Sequence, residues 1–487
     1  MPSLKKNLVY NFVLSASQVL LPLLSIPYIT RILDPEGVGR VSFIDSFTYY
    51  FITIAEFGLM VYGARAVARE KNNPESLKKL VSELLVLHVI SSSLALIVYL
   101  ISVYLIWNEI RDFRLLYFSL SFLLVNFFAC EWYFLGLEKF RIIAIRAIST
   151  RVLGLISIFL LIKGEEDYYL YYGIIVGTAI VNSIWNNILL FRELPLNFRR
   201  VNWKKHLRLT SVTYLISLVY SITLFLDNVL LGLVSTTAAV GLYAFAMKII
   251  RTAGILLTDG LLVIFPRVIT YVQQNDQENL QYTIRRSVQL IIFIAVPMSV
   301  GLFVLSDELV RIFLGESFLS ASFNLRLLAI LPFIRAYNIF LSKQVLIPYD
   351  KEKLFLRSLL IGSCSFVILT LFLSTLLDDR GACIAIIIAE LITLLLNYFY
   401  SRKTATFLRI FDMKMLLHSF LGALLFVPVV YFIKWQLNNF LARLLFSVAA
   451  GFIIYTTFLL YVIKNEFTQF VIITLQRFVR NKWSRTS

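Results

Sequence analysis

The chain has 487 residues, 59% of them apolar or aromatic and only 15% charged, and its mean hydropathy is +0.80. Ordinary globular chains carry about 25% charged residues, so too little charge remains here to coat a water-exposed surface, which excludes a disordered chain, a secreted disulfide scaffold and a cytosolic enzyme. The 46 basic and 29 acidic residues leave a net charge of +17, which an integral membrane protein places in cytoplasmic loops and against anionic headgroups, not on nucleic acid.

A helix crosses the hydrocarbon core in about 20 mostly apolar residues. In chain order the hydropathy pattern predicts spans near 8–30, 41–62, 81–106, 115–137, 142–162 and 168–191, then 209–232, 241–265, 287–305, 327–347, 356–377 and 381–400, and a last pair at 415–433 and 444–463. The total is about 14. The first span begins after Lys5 and Lys6, but its length, Pro22, Pro27 and the lack of a small-residue cleavage site separate it from a signal peptide. Pro297, Pro332 and Pro348 join those two as helix-loosening positions of a kind transporters tolerate. The stretch Glu165–Tyr172 reads as an aromatic belt on the outer face, and 266–286 as the longest loop. The tail from Lys464, with Phe467, Phe470, Val471, Leu475 and Phe478 between basic residues, reads as an interfacial amphipathic helix. Cys130, Cys364 and Cys383 lie singly and read as packing residues, with no metal set among them.

Assigning each basic residue to its nearest loop puts 32 on the side of both termini and ten on the other: Arg31, Arg40, Arg111, Arg114, Lys163, Arg311, Arg326, Arg380, Lys434 and Arg443. That split predicts cytoplasmic termini and an even number of spans. Residues 38–67 also align with 240–269 at a constant offset of 202. Val38/Val240, Gly39/Gly241, Phe43/Phe245, Gly58/Gly260, Leu59/Leu261, Val61/Val263 and Arg65/Arg267 are identical. Because the offset bridges six spans, it predicts parallel halves about an axis along the membrane normal.

Four basic residues fall inside spans: Arg151, Lys248, Arg251 and Arg335. Each costs about 2.5–3.5 kcal/mol at a span centre. Lys248 and Arg251 are three apart and share a helix face, as do Arg335 and Asn338. Intramembrane acids are Asp45, Glu56, Glu131, Asp227, Asp259 and Glu390; Asp45 and Glu56 lie three turns apart on one face. For Glu56, Glu131, Asp259 and Glu390 the competing reading is snorkelling or a structural ion pair, and for His88 it is hydrogen-bonded packing. A cation-rich interior suits an anionic headgroup. No P-loop, HExxH or Ser/His/Asp cluster is present, so the chain is expected to be neither an enzyme nor an ATP-driven pump, and to need no cofactor or metal.

Asn11, the segments LPLLSIPYITRILDPEGVGRVSF (21–43) and YFITIAEFGLMVYGARAVARE (50–70), Glu131–Gly136, Asp227–Leu231, Val240–Gly241, Tyr243 and Lys248 together resemble the Wzx-type polysaccharide flippases of the multidrug/oligosaccharidyl-lipid/polysaccharide exporter superfamily. Asp34 stands where that family commonly has a glycine before the proline. The resemblance implies an all-α integral membrane protein: two six-helix lobes related by pseudo-two-fold symmetry around a central cavity, plus a C-terminal helix pair. The corresponding divisions are residues 1–200, 201–403 and 404–487. It implies export of an undecaprenyl-pyrophosphate-linked oligosaccharide from the inner to the outer leaflet of the bacterial cytoplasmic membrane by alternating access, for O-antigen or capsule biosynthesis. H+ or Na+ as coupling ion, membrane lipids, and a polysaccharide polymerase with its chain-length machinery are the partners implied. On this reading Lys248, Arg251, Arg335, Arg151 and Arg31 hold the pyrophosphate, Asp45, Glu56 and Asp227 couple or gate, and Asn182 and Asn186, with Asn187, face sugars. A multidrug/cation antiporter or a lipid II flippase of the same superfamily remains open. A membrane polysaccharide polymerase is more distant, because no outer loop is long enough to carry its chemistry.

Overall fold

The computed structural model describes residues 4–106, 112–199 and 201–469. The described chain is helical, and 11 of its helices are long and apolar enough to cross a membrane. The first stretch runs α1 (Leu4–Ile32), α2 (Pro35–Glu56), α3 (Leu59–Glu70), α4 (Pro74–Leu105), α5 (Phe113–Asn126), α6 (Glu131–Gly136), α7 (Phe140–Leu161) and α8 (Tyr168–Glu193). There follow α9 (Lys204–Val234), α10 (Thr237–Gln273), α11 (Gln277–Val304), α12 (Ser306–Phe313), α13 (Ala321–Leu328), α14 (Leu331–Phe340), α15 (Glu352–Thr404), α16 (Met413–Gln436) and α17 (Phe440–Thr457).

Several expected spans are interrupted. The span placed at 41–62 breaks at Phe57 and Gly58, both with positive φ (49° and 72°), which divides α2 from α3. The span placed at 115–137 ends at Asn126 and resumes as the single-turn helix α6. The loop expected over 266–286 is mostly helix, because α10 runs through Pro266 to Gln273 and α11 starts at Gln277. The spans placed at 356–377 and 381–400 are two arms of the 53-residue α15, which breaks at Asp378 (φ 49°); the Asp378 Oδ1 accepts a 2.9 Å bond from the Ser235 hydroxyl. Pro332 opens α14, where its missing N–H costs nothing, and does not loosen a helix interior. Asp34 caps α2, its Oδ1 accepting from the Gly37 amide at 2.7 Å, so the departure from the family's glycine supplies an N-cap worth about 1 kcal/mol.

The residues form two compact units. The first comprises 1–244, 313–318 and 366–382; the second comprises 245–312, 319–365 and 383–487. The first has a core in which Val81, Leu84, Trp132, Phe134 and Leu190 are buried together. Tyr168, Tyr171 and Tyr172 are buried in this unit as well, which corrects the belt reading of Glu165–Tyr172. The Tyr168 hydroxyl donates to Asp112 at 2.6 Å and the Tyr172 hydroxyl pairs with Thr48 at 3.0 Å. In the second unit Ala423, Phe426, Val430 and Tyr455 of the last helix pair share one core with Ile291, Ile292 and Phe340. Tyr455 donates to the Phe293 carbonyl at 2.9 Å, and Lys434 pairs with the buried Glu308 at 2.7 Å. The C-terminal pair is therefore built into that unit. Cys130 and Cys383 are buried as expected, whereas Cys364 is exposed. Of the amphipathic tail, Phe467 is buried; Phe470, Val471, Leu475 and Phe478 lie outside the described residues.

Two contacts within the first unit define its geometry. A Cβ on Gly39 would overlap the Thr237 carbonyl oxygen and lie 3.0 Å from the Gly241 amide nitrogen; a Cβ on Gly241 would overlap the Pro35 carbonyl oxygen and lie 3.1 Å from the Gly39 amide nitrogen. Pro35 and Thr237, like Gly39 and Gly241, are 202 positions apart. The contact is thus reciprocal, and it closes only because neither residue has a side chain. The second contact holds the 194–203 connection. Glu83, fully buried on α4, accepts from Lys205 (2.6 Å), from His206 Nε2 (3.1 Å) and from the Asn202 amide (3.2 Å). Because Nε2 donates, the neutral ring leaves Nδ1 to accept from the Tyr62 hydroxyl at 2.7 Å.

Gly39→Ala or Gly241→Ala is expected to cost about 1–3 kcal/mol by overpacking and to lower the thermal unfolding midpoint in detergent, while Gly177→Ala, with no neighbour within 4 Å of an added Cβ, leaves it unchanged or raised. Glu83→Ala removes the acceptor of His206 and Asn202 and is expected to cost about 1–3 kcal/mol, read as faster tryptic cleavage within 194–203. Burial, opposed by the bond to Glu83, holds the His206 pKa below its ordinary value. The unfolded chain therefore takes up that proton first, and this contribution is present above about pH 6.5 and lost as pH falls below it.

Candidate functional site

The sequence-predicted residues separate into two polar interiors and several solitary positions. In the second unit, Arg335 and Asn338 sit one turn apart on α14 and reach the same carboxylate on α15. Arg335 Nε donates to Glu390 Oε1 at 2.9 Å, and Asn338 Nδ2 donates to Glu390 Oε2 at 2.9 Å. Asn338 is itself oriented, because Asn397 Nδ2 donates to its Oδ1 at 3.1 Å and Ser358 donates to the Asn397 Oδ1 at 2.5 Å. Arg335 Nη1 also lies 3.9 Å from the Met247 sulfur on α10. Arg251 is one helical turn beyond Met247 and shares its face. Lys248, half-buried, holds its ammonium 5.2 Å from the Phe245 ring centroid. It forms no ion pair among the described residues. Arg335 and Asn338 share a face as expected, and the acid and the cation are partners. The side chain of Asp259 lies outside the described part.

In the first unit, a cavity of about 230 Å³ lies among α2, α4, α5, α6 and α8. Glu56, His88, Asn126, Glu131, Asn182 and Asn186 line it, with Tyr49, Phe122 and Trp132 as aromatic walls. His88 Nε2 donates to the Asn126 carbonyl at 2.6 Å, the packing role expected of it. Five buried polar atoms of this lining have no hydrogen-bond partner: Asn182 Oδ1, Asn186 Oδ1, His88 Nδ1, Asn126 Nδ2 and Trp132 Nε1. In a hydrocarbon surrounding such groups are costly to leave bare, so the cavity is built for water or a polar ligand. Three of the orphans are acceptors and the Glu56 carboxylate joins them, which suits a hard cation or a proton carried on water; Glu131 already has Arg146 as its counter-charge. Asn187 turns away, donating to the Phe128 carbonyl at 2.8 Å.

The lining residue Glu131 is paired with a residue that the hydropathy pattern misplaces. Arg146, counted there as a loop cation, is 1% exposed, and its Nη2 lies 3.2 Å from Glu131 Oε2. That distance pairs the charges without the alignment of a hydrogen bond. Its signal was the intramembrane Glu131, which needed a counter-charge. The remaining candidates are apart from both interiors. Asp227 is fully buried and accepts from the Tyr243 hydroxyl at 3.2 Å and from the Asn228 amide at 2.9 Å, joining α9 to the start of α10. Asp45 sits on α2 eleven residues before Glu56, about 16 Å along the axis, and is not among the residues lining the cavity. Arg151 donates to the Ser17 hydroxyl at 2.7 Å beside a second pocket of about 250 Å³ with Gln18, Ser25 and Thr178. Arg31 folds back onto the Pro27 carbonyl at 2.6 Å. Arg31 and Arg151 belong to the first unit, and Lys248, Arg251 and Arg335 to the second.

A model of the polysaccharide biosynthesis protein family matches residues 4–272. The chain is 25% identical to the putative O-antigen transporter of Escherichia coli K12 over 409 residues, 82% of this chain and 96% of that protein. It is 23% identical to the probable low-salt glycan biosynthesis flippase Agl15 of Haloferax volcanii over 234 residues, 48% of this chain and 49% of that one. Among solved structures, the lipid II flippase MurJ in its inward closed conformation matches with a TM-score of 0.72 at 17% identity, covering 94% of this chain and 99% of that one. An inward-facing multidrug resistance MATE family transporter matches with a TM-score of 0.61 at 16% identity, covering 80% and 94%. At these identities the two structures establish the fold alone, an all-α membrane architecture. The family model spans more than half of the sequence, and the chain belongs to the polysaccharide biosynthesis protein family.

Proposed function

We propose that the chain is a flippase that moves an undecaprenyl-pyrophosphate-linked oligosaccharide repeat unit from the inner to the outer leaflet of the bacterial cytoplasmic membrane by alternating access, for surface polysaccharide assembly. Family membership and the names of its relatives support the polysaccharide part of this reading. The observation that carries the anionic headgroup is the cation set Lys248, Arg251 and Arg335, held inside membrane-spanning helices of one unit. An unpaired ammonium there costs about 2.5–3.5 kcal/mol, a cost that an arriving phosphate offsets. With both termini cytoplasmic, as the basic-residue split favours, the inside-negative potential assists. Each charge leaving the cytoplasmic side gains about 2.3 kcal/mol per 100 mV, so a dianion gains roughly 4–5 kcal/mol without ATP.

The acid-lined cavity of the first unit is the coupling site on this reading, with Glu56 taking H+ or Na+ while Asn182 and Asn186 supply carbonyl oxygens. The same cavity is what favours the second reading, a multidrug/cation antiporter. The cations of the second unit weigh against a cationic cargo.

A strain lacking the gene is expected to accumulate completed lipid-linked units on the inner leaflet and to lose surface polymer. Wild type restores the polymer, whereas Lys248→Ala is expected to lower export about tenfold or more, as loss of one charge-assisted contact to phosphate would. Unchanged polymer with sensitivity to toxic cations or dyes would replace this reading with the antiporter. In vesicles, Glu56→Gln is expected to abolish the response of transport to an imposed H+ or Na+ gradient while leaving the response to membrane potential. A Glu56→Gln protein with an undiminished gradient response would remove coupling from this cavity.

A further inference from the structure

We propose that Glu390 is a resident counter-anion: it occupies the seat of the substrate's pyrophosphate when no substrate is bound and is displaced from Arg335 when the headgroup arrives. The inference rests on the anionic-headgroup reading and adds to it a competitor built into the chain.

One donor of the seat is oriented by groups other than the Glu390 carboxylate, since Asn338 Nδ2 also donates to the Glu390 main-chain carbonyl at 3.2 Å. Arg335 and Asn338 project from one face of α14, and the Asn338 amide is locked by Asn397, which uses its Oδ1. The Nδ2 group therefore points at whatever anion lies beside Arg335. A phosphate offers two oxygens to such a donor pair as a carboxylate does, and an arginine is well shaped for either. The Arg335 and Glu390 side chains are 17% and 15% exposed, so the pair is not sealed as Glu83 is. Lys248 adds a cation on α10, and Met247, its neighbour in sequence, touches Arg335.

The helix that carries the donors is also built to give. Directly after α14, residues Leu341–Leu346 form a π-helical turn, a local widening found disproportionately at functional sites. Glu390 comes from a different helix, so it can withdraw while Arg335 and Asn338 remain in register with each other. The energetic logic is a balance of costs. Without Glu390, Arg335 would lose the carboxylate that neutralises it inside the membrane in every empty state. With it, the empty state is tolerated, and the incoming headgroup must outcompete a tethered carboxylate. Binding is weaker than the cations alone would give, and release on the far side is correspondingly faster as Glu390 returns. A resident anion thus favours turnover over affinity, because uniform tightening of a carrier's grip does not speed transport.

The test uses the full-length protein in nanodiscs of neutral lipid, titrated with inorganic pyrophosphate and with polyprenyl pyrophosphate, alongside flipping measured in vesicles. Glu390→Gln keeps the size and a hydrogen-bonding oxygen but removes the competing charge. It is expected to bind both probes about tenfold or more tighter, the scale of a close charge pair, and to flip more slowly at saturating substrate. If that variant does not fold, Glu390→Asp withdraws the carboxylate by one methylene and is expected to tighten binding by a smaller factor. Unchanged or weaker binding in the folded variant, with wild type binding normally, would make Glu390 a structural partner of Arg335 and overturn the inference. Wild type that binds neither probe would instead overturn the anionic-headgroup reading, and this inference with it.

Discussion

Hydrocarbon offers no water to a polar group, so each hydroxyl, amide and charge between the faces of the membrane must find its partner within the chain or in what the chain binds. Most of the polar interior described here obeys that rule by pairing: Glu131 with Arg146, Arg335 and Asn338 with Glu390, Lys434 with Glu308, Asp227 with Tyr243. Other buried polar atoms are left without a hydrogen-bond partner, among them those of Thr370, Ser374 and Ser447 and the guanidinium nitrogens of Arg146. Orphaned atoms of Asn182, Asn186, His88, Asn126 and Trp132 surround one cavity in the first unit, and Lys248 in the second forms no ion pair among the described residues.

The two interiors differ in composition and, on the proposed reading, in task. The first presents carboxylates and carbonyl oxygens, the chemistry of a small cation. The second presents a guanidinium, an ammonium and an oriented amide, the chemistry of phosphate. A carrier of a lipid-linked oligosaccharide needs both: a grip on its charged headgroup and a means of drawing on an ion gradient or potential. The packing around them is tuned to shape as well. At Gly39 and Gly241 two helix starts meet with backbone against backbone, and the last helix pair shares its core with α11.

Much of this was legible in the residues because hydropathy and charge are averaged over long windows. Apolar runs located the spans, and the 202-residue offset anticipated the very glycines that touch. Asn182 and Asn186, one helical turn apart, line one cavity, whereas Asn187, expected with them, turns away to the Phe128 carbonyl. What escaped depended on tertiary neighbours or on single backbone angles. The breaks at Phe57, Gly58 and Asp378 are local left-handed residues with no hydropathy signature. Arg146 lies near a predicted span end and was counted with the loop, since only the fold brings Glu131 to it. Tyr168, Tyr171 and Tyr172 have the composition of an interfacial belt, yet Asp112 and Thr48 draw the hydroxyls of Tyr168 and Tyr172 inward. Glu83 and His206, far apart in sequence, form a clasp that no spacing rule reveals.

The central claim is that this chain carries a pyrophosphate-linked glycan across the bilayer on the cations of its second unit. Its most direct test is reconstitution of the purified protein in vesicles with a short-chain polyprenyl-pyrophosphate oligosaccharide, scoring appearance of the sugar on the opposite leaflet. The account predicts protein-dependent transfer, faster when the membrane potential favours anion exit, and largely lost in Lys248→Ala. Transfer equally fast for an uncharged polyprenyl glycan, or undiminished in Lys248→Ala, would contradict it.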